Sequence, residues 1–445
     1  MMKTFYRIVA NSLAASVANT FVWFSVTFWV YLETQSVIAT AVMAGVYTLT
    51  VAVSGVFLGS LVDRHRKKAV MLVSSLCSLG LFSAAWIIYA TTAPEVFTNI
   101  SSATLWVFVV LTLVGAIAGN LRGIALSTLV TIMVPEDGRD KANGLVGSAN
   151  GAAFLVASLF SGLAIGFLGV SLMLLLAIAA TMLTIIHLLT LPVPEADKAA
   201  TSANAQPGSE GVDLRGTIRI VALVPGLFGL IFFHTFNNFL GGVFMSLMDA
   251  YGLQLVSVQV WGALWGVLSL GFIVGGIIVA RRGLGPNPLR TLFVANIVMW
   301  VICSVFTLQA SIVPLAVGMF VWLCLIPAVE AAEQTILQKV VPLERQGRVF
   351  GFAQSVEQAA SPITAFLIGP IAQLIFIPFM TTGAGVDLIG SWFGTGADRG
   401  LALLFTLSGI IGLVVTLLAM RSYAYRVLSR RYQEPELAPV PVYEV

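Results

Sequence analysis

Four ionisable side chains lie deep inside apolar runs of this 445-residue chain: Arg122, Glu330, Glu333 and Glu357. A charge at the middle of a membrane helix costs at least about 2.5–3.5 kcal/mol. Such groups are retained either to move protons or ions, or to hold helices together as a buried ion pair. Arg122 lies about 11 residues before Met133, hence roughly 16 Å inside its run, and Glu330 lies at a similar depth before Val341. Glu333 is one turn beyond Glu330 on the same face. Pairing Arg122 with Glu330 or Glu333 would spare each an uncompensated charge, and one of the two acids could then exchange a proton as its surroundings change. A static pair is the alternative. Glu357, flanked by Gln354 and Gln358, joins either that chemistry or a gate. His234, Asn237 and Asn238, spaced i, i+3, i+4, would form one polar patch that contacts a substrate or bonds a neighbouring helix. Asn19 has the same two readings. Trp23 and Trp322 could line a cavity for a lipophilic molecule or simply pack.

Other chemistries have little support. Cys77, Cys303 and Cys324 stand singly in apolar runs, which indicates neither a disulfide framework nor a metal site. The three histidines are scattered, no GxxxxGK[ST] loop exists for ATP, and the basic residues are not clustered for nucleic acid. The chain reads as a non-enzyme without cofactor.

The elements that must position these residues are membrane helices. The chain is 58% hydrophobic and 10% charged, with mean hydropathy +0.97, whereas soluble domains carry about 25% charged residues. Hydropathy and breakers predict twelve spans: 9–33, 37–61, 69–91, 103–133, 143–168, 170–192, 219–248, 258–280, 289–309, 312–340, 350–378 and 400–424. The fifth and sixth are separated only by Gly166-Phe167-Leu168-Gly169, where a turn is required because about 50 largely apolar residues cannot cross once. All but two of the 23 Lys and Arg residues fall in or beside alternate gaps, the exceptions being Arg122 and Arg399. By the positive-inside rule both termini are cytoplasmic. A polar segment, 193–216, divides the chain into six-helix halves, 1–192 and 217–432, followed by a tail at 433–445. The outer segment 379–399 is either a plain loop or a short surface helix bearing Leu388, Ile389, Trp392 and Phe393.

The halves echo each other. Gly59-Ser60-Leu61-Val62-Asp63-Arg64 ends span 2, and Gly276-Ile277-Ile278-Val279-Ala280-Arg281 ends span 8. Pro135-Glu136 through Ala142-Asn143-Gly144 after span 4 matches Pro342-Leu343-Glu344 through Val349-Phe350-Gly351 after span 10. Six-helix parallel repeats with a ligand site between them are a transporter construction. At this point a resemblance is legible. Gly59-x-Leu61-Val62-Asp63-Arg64-x-Arg66-Lys67-Lys68 resembles the loop 2–3 signature of the major facilitator superfamily. Arg345-Gln346-Gly347-Arg348-Val349-Phe350-Gly351, with Ala142-Asn143-Gly144, resembles its bacterial drug-exporter branch, which contains macrolide and some tetracycline pumps and the enterobactin exporter.

That resemblance implies an all-α membrane fold of two pseudo-symmetric six-helix bundles, with spans 1, 4, 7 and 10 around a central cavity. It implies a cytoplasmic gate in which Asp63 faces the start of span 11 near Gly351 and Phe352, with Gly59 permitting close packing and Arg64, Arg66 and Arg348 as further partners. Ala280 replaces the acid in the second half, so the latch is one-sided. The implied activity is export of lipophilic or amphipathic small molecules across a bacterial plasma membrane by proton antiport, from a monomer that needs only the lipid bilayer, its substrate and protons. Two departures keep a dedicated exporter of one metabolite, such as a siderophore, or a carrier not coupled to protons, open. In span 5 the branch's Gly-Pro…Gly-Gly element is reduced to Ala157-Ser158-Leu159-Phe160-Ser161-Gly162, and Asn19 stands where many relatives have an acid.

Overall fold

A computed structural model describes residues 2–34, 37–193 and 214–433, and all regular structure among them is helical. The predicted linker, apart from its ends, and nearly all of the tail lie outside the described residues. Hydrocarbon offers no partner for backbone N–H and C=O groups, so an apolar chain of this kind satisfies them within helices. Eleven of these helical segments are long and apolar enough to cross a membrane.

The chain divides into two compact units, Met1–Ile218 with Val341–Ser355, and Arg219–Val340 with Val356–Val445. The first contains α1 (Met2–Thr34), α2 (Val37–Arg64), α3 (Lys67–Thr91), the single turn α4 (Glu95–Thr98), α5 (Ala103–Met133) and α6 (Arg139–Thr190). At 52 residues, α6 would extend about 78 Å if straight, more than twice a roughly 30 Å hydrocarbon core. It is broken at Gly169, whose φ of 71° and ψ of 172° leave the helical region, within the turn predicted there. Counted on both sides of this break, the spans number twelve.

Small polar residues knit the first unit. Ser74 and Ser78 of α3 donate to the carbonyls of Ala118 (2.6 Å) and Gly115 (2.7 Å) in α5. A Cβ on Gly119 of α5 would overlap the Asn19 amide, so Asn19 packs against α5. Trp29 lies at the centre of an aromatic group with Tyr89, Phe97 and Phe108 at 5.7, 5.5 and 5.0 Å.

After α7 (Leu214–Leu223), which takes the last residues of the predicted linker into a helix, the second unit contains α8 (Leu227–Leu255), α9 (Val258–Arg282), α10 (Pro288–Val305) and α11 (Ile312–Val340). Asn287 caps α10 by accepting from the Arg290 N–H, with Pro288 at the first turn, where its missing N–H is not needed. α12 (Gln346–Ile371) contributes its first ten residues to the first unit and the rest to the second. It continues through a π-helical turn, Ala372–Phe376, just after Pro370, into α13 (Ile377–Thr381). α14 (Ala384–Phe393), α15 (Ala397–Arg421) and α16 (Tyr423–Gln433) complete the chain.

The outer segment left open between loop and helix is the helix α14, with Leu388 and Trp392 exposed and Phe393 buried. Phe393 joins the core of the second unit, and the Arg399 guanidinium lies 4.2 Å over its ring. Arg399 also donates to the carbonyls of Phe393 (2.5 Å) and Leu308 (2.8 Å) and contacts the Tyr251 hydroxyl at 3.5 Å. It is 3% exposed and clamps three segments. Truncation would strand two carbonyls, at about 1–3 kcal/mol each. Arg399→Ala should therefore lower the thermal midpoint of the detergent-purified protein, while Arg421→Ala, at an exposed position, should leave it nearly unchanged.

Candidate functional site

The first N–H groups of a helix have no acceptor within it. In α12 two of these belong to Gly347 and Arg348, and Asp63, near the end of α2, takes both. Its Oδ1 accepts from Gly347 N at 2.6 Å and its Oδ2 from Arg348 N at 2.9 Å, with Arg348 Nε 3.8 Å away. The sequence places Asp63 opposite Gly351 and Phe352; the carboxylate meets Gly347 and Arg348 instead, because α12 begins at Gln346 rather than near residue 350. A carboxylate at a partly buried helix N-terminus is stabilised by up to about 2 kcal/mol.

Glycine makes the approach possible. A Cβ on Gly59 would fall inside the Gly347 carbonyl, and one on Gly351 inside the Gly55 carbonyl. Glycines at four-residue spacing on both helices bring the two backbones into contact. Farther along, Ser355 Oγ accepts from Val56 N at 3.2 Å. Thr131, at the end of α5, donates to Gln346 Oε1 at 2.8 Å. The loop before α6 repeats this entry: Glu136–Gly138 and Leu343–Arg345 are both single 3-10 turns following a proline.

Several basic loop residues act as helix caps. Lys68 donates to the carbonyls of Leu189 (3.0 Å) and Leu191 (2.7 Å) at the end of α6. Arg139 does the same for Thr131 and Val134 at the end of α5, at 3.2 and 3.4 Å. Arg64 and Arg66 are exposed.

Arg122 is 2% exposed and sits in the first unit among neutral acceptors. It donates to Ser75 Oγ at 2.7 Å and to Asn11 Oδ1. The Asn11 amide in turn bonds the Thr184 carbonyl (2.9 Å) and His187 Nδ1 (3.0 Å). Asn11 and Ser75 were not singled out from the sequence; a single polar residue near a helix start and one serine among many carry no distinctive spacing. His187 belongs to this chain of bonds.

The second unit assembles His234 of α8, Glu333 of α11 and Glu357 of α12. His234 Nδ1 is 3.1 Å from Glu333 Oε2, and one ligand-type atom from each of the three lies within 4.8 Å of the others. His234 Nε2, Glu333 Oε1 and Glu357 Oε1 are buried with no hydrogen-bond partner. Thus Arg122, which the sequence pairs with Glu330 or Glu333, and Glu333 each have other partners within their own unit. Glu357, left open between gate and cavity, lies with His234 and Glu333.

Glu330 is exposed, one turn from Glu333 and within electrostatic reach of it. The His234–Asn237–Asn238 patch does not act as one. Asn237 accepts from Trp300 Nε1 at 2.8 Å and donates to Phe233 O at 2.7 Å, a helix-packing role. Asn238 donates to the Glu357 carbonyl at 3.4 Å. Trp23 is half-buried and stacked on Tyr47 at 4.2 Å, and Trp322 packs against the core of the second unit.

A helical membrane protein with a carboxylate-capped glycine contact after its second span is a transporter of a known class. Residues 8–365 match the Major Facilitator Superfamily model, and the chain belongs to that family. It is 20% identical over 384 residues to macrolide efflux protein A of Streptococcus pyogenes, covering 83% of this chain and 90% of that protein. A bacterial homologue of the iron transporter ferroportin, solved in an outward-facing state, superposes with a TM-score of 0.68 at 13% identity, covering 94% of this chain and 100% of that one. The proton:xylose symporter XylE gives 0.65 at 14% identity, with coverage of 95% and 96%. At these identities the structural likeness establishes the fold alone.

Replacing Asp63 by Asn keeps the shape and removes the charge that meets the α12 N-terminus. Insertion and abundance should stay near wild type while transport falls; normal transport by Asp63→Asn would remove this contact from the working cycle. Gly59→Val should fail in the same assay because its side chain has no room against Gly347.

Proposed function

We propose that this protein is a secondary carrier that exports one class of small molecule by alternating access, with both termini in the cytoplasm of a bacterial cell. The observation that carries this reading is Asp63 bound to the first turn of α12. Most of α12 belongs to the second unit, so releasing two N–H groups from one carboxylate frees that helix from α2. A contact worth up to about 2 kcal/mol shifts a two-state equilibrium by roughly thirtyfold, enough to bias a gate without locking it. Gly59, Gly351 and Arg348 act with Asp63 in this gate, and Arg64 and Arg66 supply positive charge beside it.

A dedicated substrate is favoured by the character of the buried groups. Arg122 with its fixed acceptors, and the His234–Glu333–Glu357 set, are directional and charged, and such groups reject molecules that cannot match them. Asn19, Trp23 and Trp322 are the residues proposed to contact the substrate's less polar parts. A second reading, proton-driven export of many amphipathic compounds, is supported by the similarity to macrolide efflux protein A and by an exposed Glu330 positioned to take up a proton.

Proteoliposome transport across a panel of candidate substrates, with and without an imposed pH gradient, separates the two. A dedicated carrier should be inhibited by few unrelated dyes, and a multidrug pump by many. If protons drive transport, Glu330→Gln should abolish the response to the gradient while exchange at equal pH continues. An unaltered response in that variant takes Glu330 out of the coupling step.

A further inference from the structure

The cluster of His234, Glu333 and Glu357 is built more like a coordination site than a packing contact. It brings one imidazole and two carboxylates together from three different helices of a single unit, with a donor atom from each within 4.8 Å of the others. His234 and Glu333 are 8% and 6% exposed. Each residue of the set also keeps one buried polar atom that nothing in the protein satisfies: His234 Nε2, Glu333 Oε1 and Glu357 Oε1. On the same helices Asn237 is matched by Trp300 and Thr364 by the Phe239 carbonyl, whereas Gln334 Oε1, beside Glu333, is likewise without a partner. Unsatisfied atoms converging at one place are costly, and a shared ligand would relieve all of them at once.

We infer that His234, Glu333 and Glu357 form a binding site for one first-row transition-metal dication of the Mn²⁺, Fe²⁺ or Zn²⁺ class. Two carboxylates neutralise a dication, whereas a monovalent ion would leave net charge in a low-dielectric interior. One imidazole among the donors selects against Mg²⁺ and Ca²⁺, which take oxygen ligands almost alone. Donors bound to such an ion at about 2.0–2.2 Å sit roughly 3–4 Å apart, so rotamer adjustments of about 1 Å close the set. Three protein ligands leave a coordination position for water or another small ligand. An ion there would join α8, α11 and α12.

The test uses the full chain, purified in detergent and stripped with a chelator, and is independent of transport. Mn²⁺ is titrated while the hyperfine EPR spectrum of the aqueous ion is followed. Binding of one Mn²⁺ per chain should quench that signal, and Zn²⁺ should displace the bound ion, as the Irving–Williams order requires. Glu333→Gln and Glu357→Gln, chosen because they preserve shape, should each weaken binding by at least roughly tenfold. His234→Gln should do likewise, and Glu95→Gln, an exposed acid remote in sequence from the site, should bind as wild type. Absence of saturable Mn²⁺ binding to the wild-type chain, or equal binding by wild type and the three cluster variants, overturns the assignment. Failure of the export reading would leave this titration unaffected.

Discussion

The contact between one carboxylate and the two leading N–H groups of α12 ties the start of that helix to the end of α2. It exists because α2 and α12 present glycine to each other at successive turns, so that two backbones meet where side chains would ordinarily hold them apart. The carboxylate then supplies what the helix start lacks. Neither part works without the other. A bulkier residue at Gly59 moves the acceptor out of reach, and loss of the acid leaves two buried donors unsatisfied. The interaction is of intermediate strength, well below that of a disulfide and well above that of a surface ion pair, as a contact must be if it forms and breaks repeatedly.

The remaining polar groups follow the rule that a membrane interior enforces, which is that hydrogen bonds are completed within the protein. Lysine and arginine ends close helix C-termini, as Lys68 does for α6. Carboxylates at helix ends take indole N–H groups: Glu33 from Trp29 at 3.1 Å, and Asp249 from Trp261 and Trp265 at 2.9 and 3.1 Å. Arg399 spends its guanidinium on carbonyls and an aromatic face. Among the buried side-chain atoms that lack a hydrogen-bond partner, those of His234, Glu333 and Glu357 are the ones gathered at one place.

Much of the fold was legible in the sequence because apolar length and charge placement are direct consequences of bilayer thickness and insertion. The predicted 103–133 and 312–340 coincide with α5 and α11, and Gly169 breaks α6 where a turn was required. The placement of Asp63 against the start of α12 was legible through the Gly59–Lys68 string, but its partner was misplaced by one turn because the 3-10 turn before α12 lets the helix start early. The site in the second unit was the least legible. His234, Glu333 and Glu357 are separated by about a hundred residues or fall on different helices, and only packing brings them together. Asn237 was grouped with His234 by spacing, yet a 100° step per residue turned it toward Trp300. α16 lies beyond the last predicted span, which ends at 424, and packing reveals it: Tyr425 packs on Phe293 and Asn287 bonds Ser429.

The reversal at Gly169 is made with almost no connecting chain. A positive φ there excludes most other residues, and the helices on either side are continuous up to the bend. No slack exists in which a protease could gain purchase or an epitope could be spliced without shortening a crossing. Topology mapping by tag insertion will therefore go silent at this junction, and a single cysteine introduced at the exposed Phe167, read by its reaction with a membrane-impermeant thiol reagent, is the probe the geometry permits.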